Sequence, residues 1–204
     1  MAKPFSVPRL WSGETVVIAG SGPSLTQTQL DRVRGHARLI VVNDAYLLAP
    51  WADWLHGCDS KWWIWHRDRG ALKFDGIRTT LIETVPDGWG VGLLRPTGKT
   101  GFDPDPACVR TGANGVYQAM HSAIHAGAAR IVLVGVDMKR GRGGRSHFFG
   151  EHPDGRVDDH ASVMLPHFPT LQPALTERGI EVINCTPGSA LTCFPMGNLD
   201  EVLP

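Results

Sequence analysis

Hydrophobic and polar positions fall into two rhythms along this chain. Uninterrupted apolar runs rich in Val and Ile occur at 15–20 (TVVIAG), 37–43 (ARLIVVN) and 129–138 (ARIVLVGVDM), the last reading most clearly as a buried strand. Shorter runs at 53–59 (DWLHGCD), 77–85 (IRTTLIETV) and 180–185 (IEVINC) add three further strands. Helical spacing appears over Leu25–Val33, with Ser24 or its turn as the cap, and over 113–127, which ends on a glycine. Residues 160–178 read as helical, with Pro166, Pro169 and Pro173 kinking or dividing the segment, and NLDEVL closes the chain as a short helix. Wholly apolar strands separated by helical patterns predict a mostly parallel sheet covered on both faces, a doubly wound, Rossmann-like α/β fold.

In such sheets, ligands gather beyond the carboxyl ends of the strands. The polar residues that follow each run therefore form one candidate group: Gly20, Ser21, Gly22, Pro23 and Ser24, then Asn43, Asp44, Asp59, Asp137 and Asn184. A length of 204 residues suits a single domain, 1–204, with a short lid over about 139–152. Twenty basic and twenty acidic residues cancel, which argues against general nucleic-acid binding. No apolar run reaches membrane-spanning length and MAKPFSVPRLW lacks a signal-peptide core, so the expected compartment is the cytoplasm. Cys58, Cys108, Cys185 and Cys193 show no metal spacing and read as buried free thiols.

The turn GSGPS has two of the three glycines of a dinucleotide fingerprint, with Leu25 in the third position, which disfavours an NAD-dependent oxidoreductase. Its remaining N–H groups and its Ser21 and Ser24 hydroxyls suit a phosphate at a helix start; a plain strand-to-helix turn with a serine cap explains them equally well. Arg110, followed by Thr111 and Asn114, stands just before a helix where a guanidinium can grip a phosphate. Lys139, Arg140, Arg142 and Arg145 place four cations among glycines, directly after the strongest strand, with His147, Glu151 and His152 following. A lid of this kind can neutralise a leaving group, and a histidine beside it can act as general base. No metal ligand is assigned; Mg²⁺ held by Asp59 or Asp137 is compatible with the pattern and not required by it. The tryptophans of WADWLHGCDSKWWIWH, with Trp62 and Trp65 on one helical face, read as core, as do His56 and His66; His121 and His125 read as helix surface.

Taken together, VIAGSGPSL, VNDA, RTGANGVYQAMHSAIHAGAARIVLVGVDM, SHFFGEH and CTPGSAL resemble, in matching order over residues 15–195, the bacterial sialyltransferases of glycosyltransferase family 42. The chain is also similar to the wider group that holds the archaeal-type 6-hydroxymethylpterin diphosphokinases, and to phage-encoded proteins. The resemblance implies that the opening turn, Asn43 and the last turn with Ser189 contact a nucleotide, and that Arg110 supports the phosphate or the reacting centre. It also implies that His152 or His147 is the base. Ser21 stands where the family has asparagine, and the family's lid tyrosines have no counterpart, since the chain holds only Tyr46 and Tyr117.

The resulting expectation is a nucleotide- or nucleotide-sugar-dependent transferase, with glycosyl transfer from a CMP-type donor to an acceptor hydroxyl ranked first. ATP- and Mg²⁺-dependent pyrophosphoryl transfer ranks second, and a non-catalytic nucleotide-binding or virion-associated protein third. The expected partners are a nucleotide donor and a hydroxyl-bearing acceptor, and a homo-oligomer is compatible with all three.

Overall fold

The computed structural model describes residues 1–151 and 159–203. In chain order its regular elements are β1 (Lys3–Pro4), β2 (Thr15–Ala19), α1 (Gln27–Val33), β3 (Arg38–Val42), β4 (Trp54–Gly57), α2 (Ser60–His66), β5 (Ile77–Thr80), β6 (Gly92–Leu93), β7 (Arg95–Pro96), β8 (Cys108–Val109), α3 (Gly115–Ala126), β9 (Arg130–Val134), α4 (Gln172–Glu177), β10 (Glu181–Asn184) and α5 (Leu199–Val202). Eight strands make one sheet in the order β1-β6-β5-β4-β3-β2-β9-β10, and every neighbouring pair is parallel. This is the α/β, Rossmann-like architecture that the apolar runs predict. β7 and β8 pair separately.

The core follows from the period-two geometry of the central strands. Val16 and Ile18 of β2, Ile40 of β3 and Ile131 and Leu133 of β9 face Val116, Met120 and Ala123 of α3. Val17, Ala19, Leu39, Val41, Val132 and Val134 point the other way, to Leu30 and Val33 of α1 and Trp62 and Trp63 of α2. No side of these strands meets water, which is why they read as continuous apolar runs rather than alternating ones. None of the described helices is long and apolar enough to cross a membrane.

Three local expectations change. Helix α1 is capped by Thr26, not Ser24: the Thr26 hydroxyl accepts from Gln29 N–H while the Gln29 side chain accepts from Thr26 N–H. Ser24 is engaged elsewhere, as described below. The tryptophan-rich segment is helical, but its inward face is Trp62, Trp63 and His66, with Trp65 only half-buried. His121 is not on the helix surface; it is 1% exposed, and its Nε2 accepts from the Arg110 backbone N–H at 3.4 Å. The three prolines divide the 160–178 segment as their missing N–H groups require: a π turn at His160–Met164, a 3-10 stretch at Leu165–Leu171, then α4.

Candidate active site

The chain runs from β2 outward through β3, β4 and β5, then returns to add β9 on the other side of β2. Loops leaving β2 and β9 consequently diverge, and a crevice opens between them at the carboxyl ends of the strands. A cavity of about 530 Å³ occupies that position. Its walls include Gly20–Pro23 after β2, Asn43 and Asp44 after β3, Cys58 and Asp59 after β4, Ala113–Val116 and Gln118 at the start of α3, and Gly135–Lys139 after β9. Ser146, His147 and Phe149 of the segment after β9, together with Asp159, His160, Val163 and Met164 in and beside the π turn, complete it.

The glycine turn is shaped first by its neighbour strand. Gly20 N–H donates to Val134 O at 2.9 Å and Gly22 N–H to Gly135 O at 2.8 Å. A Cβ on Gly20 would lie 2.5 Å from Gly135 O, and one on Gly22 would lie 2.1 Å from Asp137 Oδ2. Glycine is thus demanded by the close approach of two backbones. Ser21 Oγ donates to Val42 O at 2.9 Å, and Ser24 donates to Asp137 Oδ2 from both its hydroxyl, at 2.8 Å, and its N–H, at 3.3 Å.

Asn43, Ala113 and Met138 are the non-glycine residues with positive φ among those described, at 49°, 49° and 52°, and all three line the cavity. Left-handed backbone costs a non-glycine residue of order 1–2 kcal/mol, and such strain concentrates where a site is held in shape. Asn43 Oδ1 accepts the Cys58 N–H at 3.1 Å, which ties the end of β3 to the end of β4.

Two buried polar systems support the walls. Asp44, 7% exposed, accepts from Trp62 Nε1 at 2.8 Å and faces His66 Nε2 at 3.2 Å. His66 Nδ1 in turn lies 3.0 Å from the Tyr46 hydroxyl. Burial alone would raise the Asp44 pKa, but the His66 and Trp62 hydrogen bonds outweigh it and hold the carboxyl below its ordinary range. The second system has a fixed polarity. Thr111 O can only accept, so Gln118 turns its amide nitrogen there, at 2.9 Å, and its oxygen to His56 Nε2, at 2.8 Å. His56 must then donate from Nε2 and accept at Nδ1 from Thr79 Oγ1, 3.0 Å away, whose lone pair takes the Trp54 Nε1–H at 2.7 Å. Complete burial pushes the His56 pKa down to about 4, which keeps that single tautomer neutral.

The segment after β9 folds back on the opening turn: Phe148 N–H donates to Ser21 O at 3.2 Å, and His147 stacks on Phe149 with centroids 4.8 Å apart. Glu151 accepts from the Ser146 N–H at 2.9 Å and the Ser146 hydroxyl at 3.1 Å, and pairs with Arg140 at 3.7 Å.

Gly20, Ser21, Gly22, Pro23, Asn43, Asp44, Asp59, Asn114, Asp137 and His147 therefore surround one cavity. Ser24, Arg110, Thr111, Arg145 and Ser189 do not line it. The Arg110 guanidinium pairs with Asp103 Oδ2 at 3.4 Å and donates to Thr97 O. Ser189 Oγ donates to Val136 O at 2.5 Å and so braces the β9 turn from behind. Arg145 is exposed. His152 lies outside the described residues. Sequence reasoning missed Gln118, Asp159, His160 and Met164; of these only Asp159 carried a local signal, since it caps the π turn through Ser162 N–H. No three metal-ligating side chains converge among the described residues, so a cation here would rely on one or two aspartates and its substrate's oxygens.

Fold and cavity define an all-parallel, Rossmann-like α/β protein with its candidate site at the topological switch point. A solved structure with a similar fold is the MAf glycosyltransferase from Magnetospirillum magneticum AMB-1, with a TM-score of 0.64 and 15% identity. The likeness covers 98% of this chain and 36% of that one, so this chain spans about a third of that neighbour's length. No protein-family model and no curated protein sequence matches the chain.

Proposed function

We propose that the protein is a nucleotide-sugar-dependent glycosyltransferase acting at the β2/β9 cavity. One observation supports it most: the turn after β2, Asn43–Asp44, Lys139 and His147 all line a single cavity large enough for a nucleotide, in a fold similar to that of a glycosyltransferase. In this reading the nucleoside lies over the ends of β2, β3 and β4, and the phosphate faces Lys139. His147 takes the proton of an acceptor hydroxyl. The acceptor oxygen bonds to the anomeric carbon as the bond to phosphate breaks, and the nucleotide leaves with that electron pair, its charge offset by Lys139. Arg110 is given no direct part, since it pairs with Asp103 and does not line the cavity.

A CMP-type donor is the first choice, with metal-free binding expected. A second reading, pyrophosphoryl transfer from ATP with Mg²⁺, draws on the four aspartates, 44, 59, 137 and 159, that line the cavity against Lys139. Calorimetry with CMP, UDP and ATP, each with and without Mg²⁺, separates the two. CMP binding without metal supports glycosyl transfer, and ATP binding only with Mg²⁺ reverses the order. His147→Ala is expected to leave donor binding intact and lower turnover about 10²- to 10⁴-fold. Unchanged turnover in that variant would remove His147 from the chemistry.

A further inference from the structure

We infer that a second cavity, at the amino edge of the sheet, binds a small organic anion, with its charged head between Arg9 and Arg178 and its apolar body against Ile124 and Ile180. The inference does not depend on the nucleotide reading, because the two cavities stand at opposite ends of the same strands.

This cavity, of about 410 Å³, opens where β2, β9 and β10 begin, and Gly13, Ala128, Ala129 and Gly179, which precede those strands, line it. From there β2 and β9 each run five residues toward the candidate active site, roughly 16 Å of extended chain. The segment that carries Arg9 is fixed on the end of α3. Trp11 N–H donates to Ala126 O at 2.8 Å and Gly13 N–H to Gly127 O at 3.0 Å. Gly127 closes α3 in the left-handed conformation at φ 91°, and a Cβ there would lie 3.2 Å from Arg9 Cγ and 3.1 Å from Ser12 Oγ. The arginine stem thus packs on the glycine that ends the helix.

Charge distinguishes this cavity. Arg9, His125 and Arg178 line it, and among the described residues no acidic side chain does. The neighbouring acids are paired with other cations: Asp103 with Arg110, Asp105 with Arg95, Glu14 with Arg38 and Glu181 with Arg130. Arg178 donates from Nη1 to Ala174 O at 3.1 Å and to the exposed Glu177 at 2.7 Å, with its guanidinium 4.7 Å from the Phe102 ring centroid. Arg9 donates from Nε to Ser12 Oγ at 3.0 Å. That leaves Arg9 Nη1 and Nη2 and Arg178 Nε and Nη2 for a ligand. An oxyanion between two guanidinium groups takes charge-assisted hydrogen bonds from both and removes their mutual repulsion.

His125 carries the same imbalance. Its Nε2 is buried with no hydrogen-bond partner among the described residues. Burial lowers its pKa against a hydrogen bond to the Asp103 backbone, and the Arg178 charge lowers it further. An anion beside Arg178 opposes that last effect, so the ring reports occupancy. The organic body follows from size and lining: the space far exceeds a bare phosphate, and Pro104, Ile124 and Ile180 give it an apolar wall.

The test is NMR of the histidine ring signals of the folded protein at neutral pH, titrated with inorganic phosphate and with phenyl phosphate, His125→Gln assigning the signal. Phenyl phosphate should move the His125 signal saturably and bind about 5- to 50-fold more tightly than inorganic phosphate. Arg9→Met combined with Arg178→Met should weaken that binding about tenfold or more. Should the pair fail to fold by circular dichroism, Arg9→Met alone should weaken it about fivefold. Lys139→Ala, in the other cavity, should leave the His125 response unchanged. No saturable shift with either anion overturns the inference, as does a shift undiminished in a folded arginine variant. Loss of the response in Lys139→Ala overturns it by moving the anion to the candidate active site. Inorganic phosphate binding as tightly as phenyl phosphate overturns the organic body.

Discussion

The hydroxyl of Ser24 donates to Asp137 Oδ2 at 2.8 Å across 113 positions of chain, joining the turn after β2 to the turn after β9. The same oxygen stands 2.1 Å from where a Cβ on Gly22 would be, so the serine contact and the glycine are one requirement. The turn that looks like a phosphate loop in sequence is, in the fold, half of a clasp at the switch point.

The clasp gives the first prediction. Gly22→Ala must force the two turns apart, at a cost of about 1–3 kcal/mol, read as a lowered urea midpoint with an unchanged slope. Nucleotide binding should weaken in the same variant. A Gly22→Ala protein as stable as wild type would mean that the turns separate freely.

The chain of hydrogen bonds from Trp54 to Thr111 gives the second. Thr79→Val removes the donor to His56 and the acceptor of Trp54 at once, leaving two buried groups unsatisfied, and should cost about 2–5 kcal/mol. Thr79→Ser keeps the hydroxyl and should recover most of that loss. Equal stability of the valine and serine variants would show that the chain's polarity does not matter.

Acid sensitivity is the third. Burial lowers the pKa of both His56 and His121 to about 4 in the folded protein, against about 6.5 unfolded. Between these values the unfolded chain binds more protons, so stability must fall as pH drops from about 6.5 toward about 4, by up to about 3 kcal/mol per histidine. Urea midpoints taken from pH 7 to pH 4.5 measure the slope. His121→Gln should flatten it, and a slope unaffected by that change would assign the acid limb to other groups.

The fourth contrasts two cations. Lys139 lines the cavity, whereas Arg110 is held by Asp103 and Thr97. Lys139→Ala should weaken binding of CMP about tenfold and more with salt-free buffer as reference, with little change in stability. Arg110→Ala should do the opposite, lowering the urea midpoint and leaving CMP affinity within about twofold. The reverse pattern would return the phosphate role to the arginine.

The parallel α/β sheet could be read from the residues alone, because strands buried on both faces have no polar positions to interrupt them, and Val16–Ala19, Leu39–Val42 and Ile131–Val134 show this directly. Which turns share the carboxyl edge of the sheet was legible in the same way, since residues leaving parallel strands emerge along one edge. How those turns use their polar atoms followed only from the folded arrangement. Ser24 and Gly22 are claimed by Asp137, Arg110 by Asp103, and Ser189 by Val136 O. Gln118, which lines the cavity, has its oxygen held by His56, 62 positions earlier. Such pairings join residues far apart in the chain, and a local pattern carries no record of which distant partner will satisfy a hydrogen-bonding group once water has been excluded.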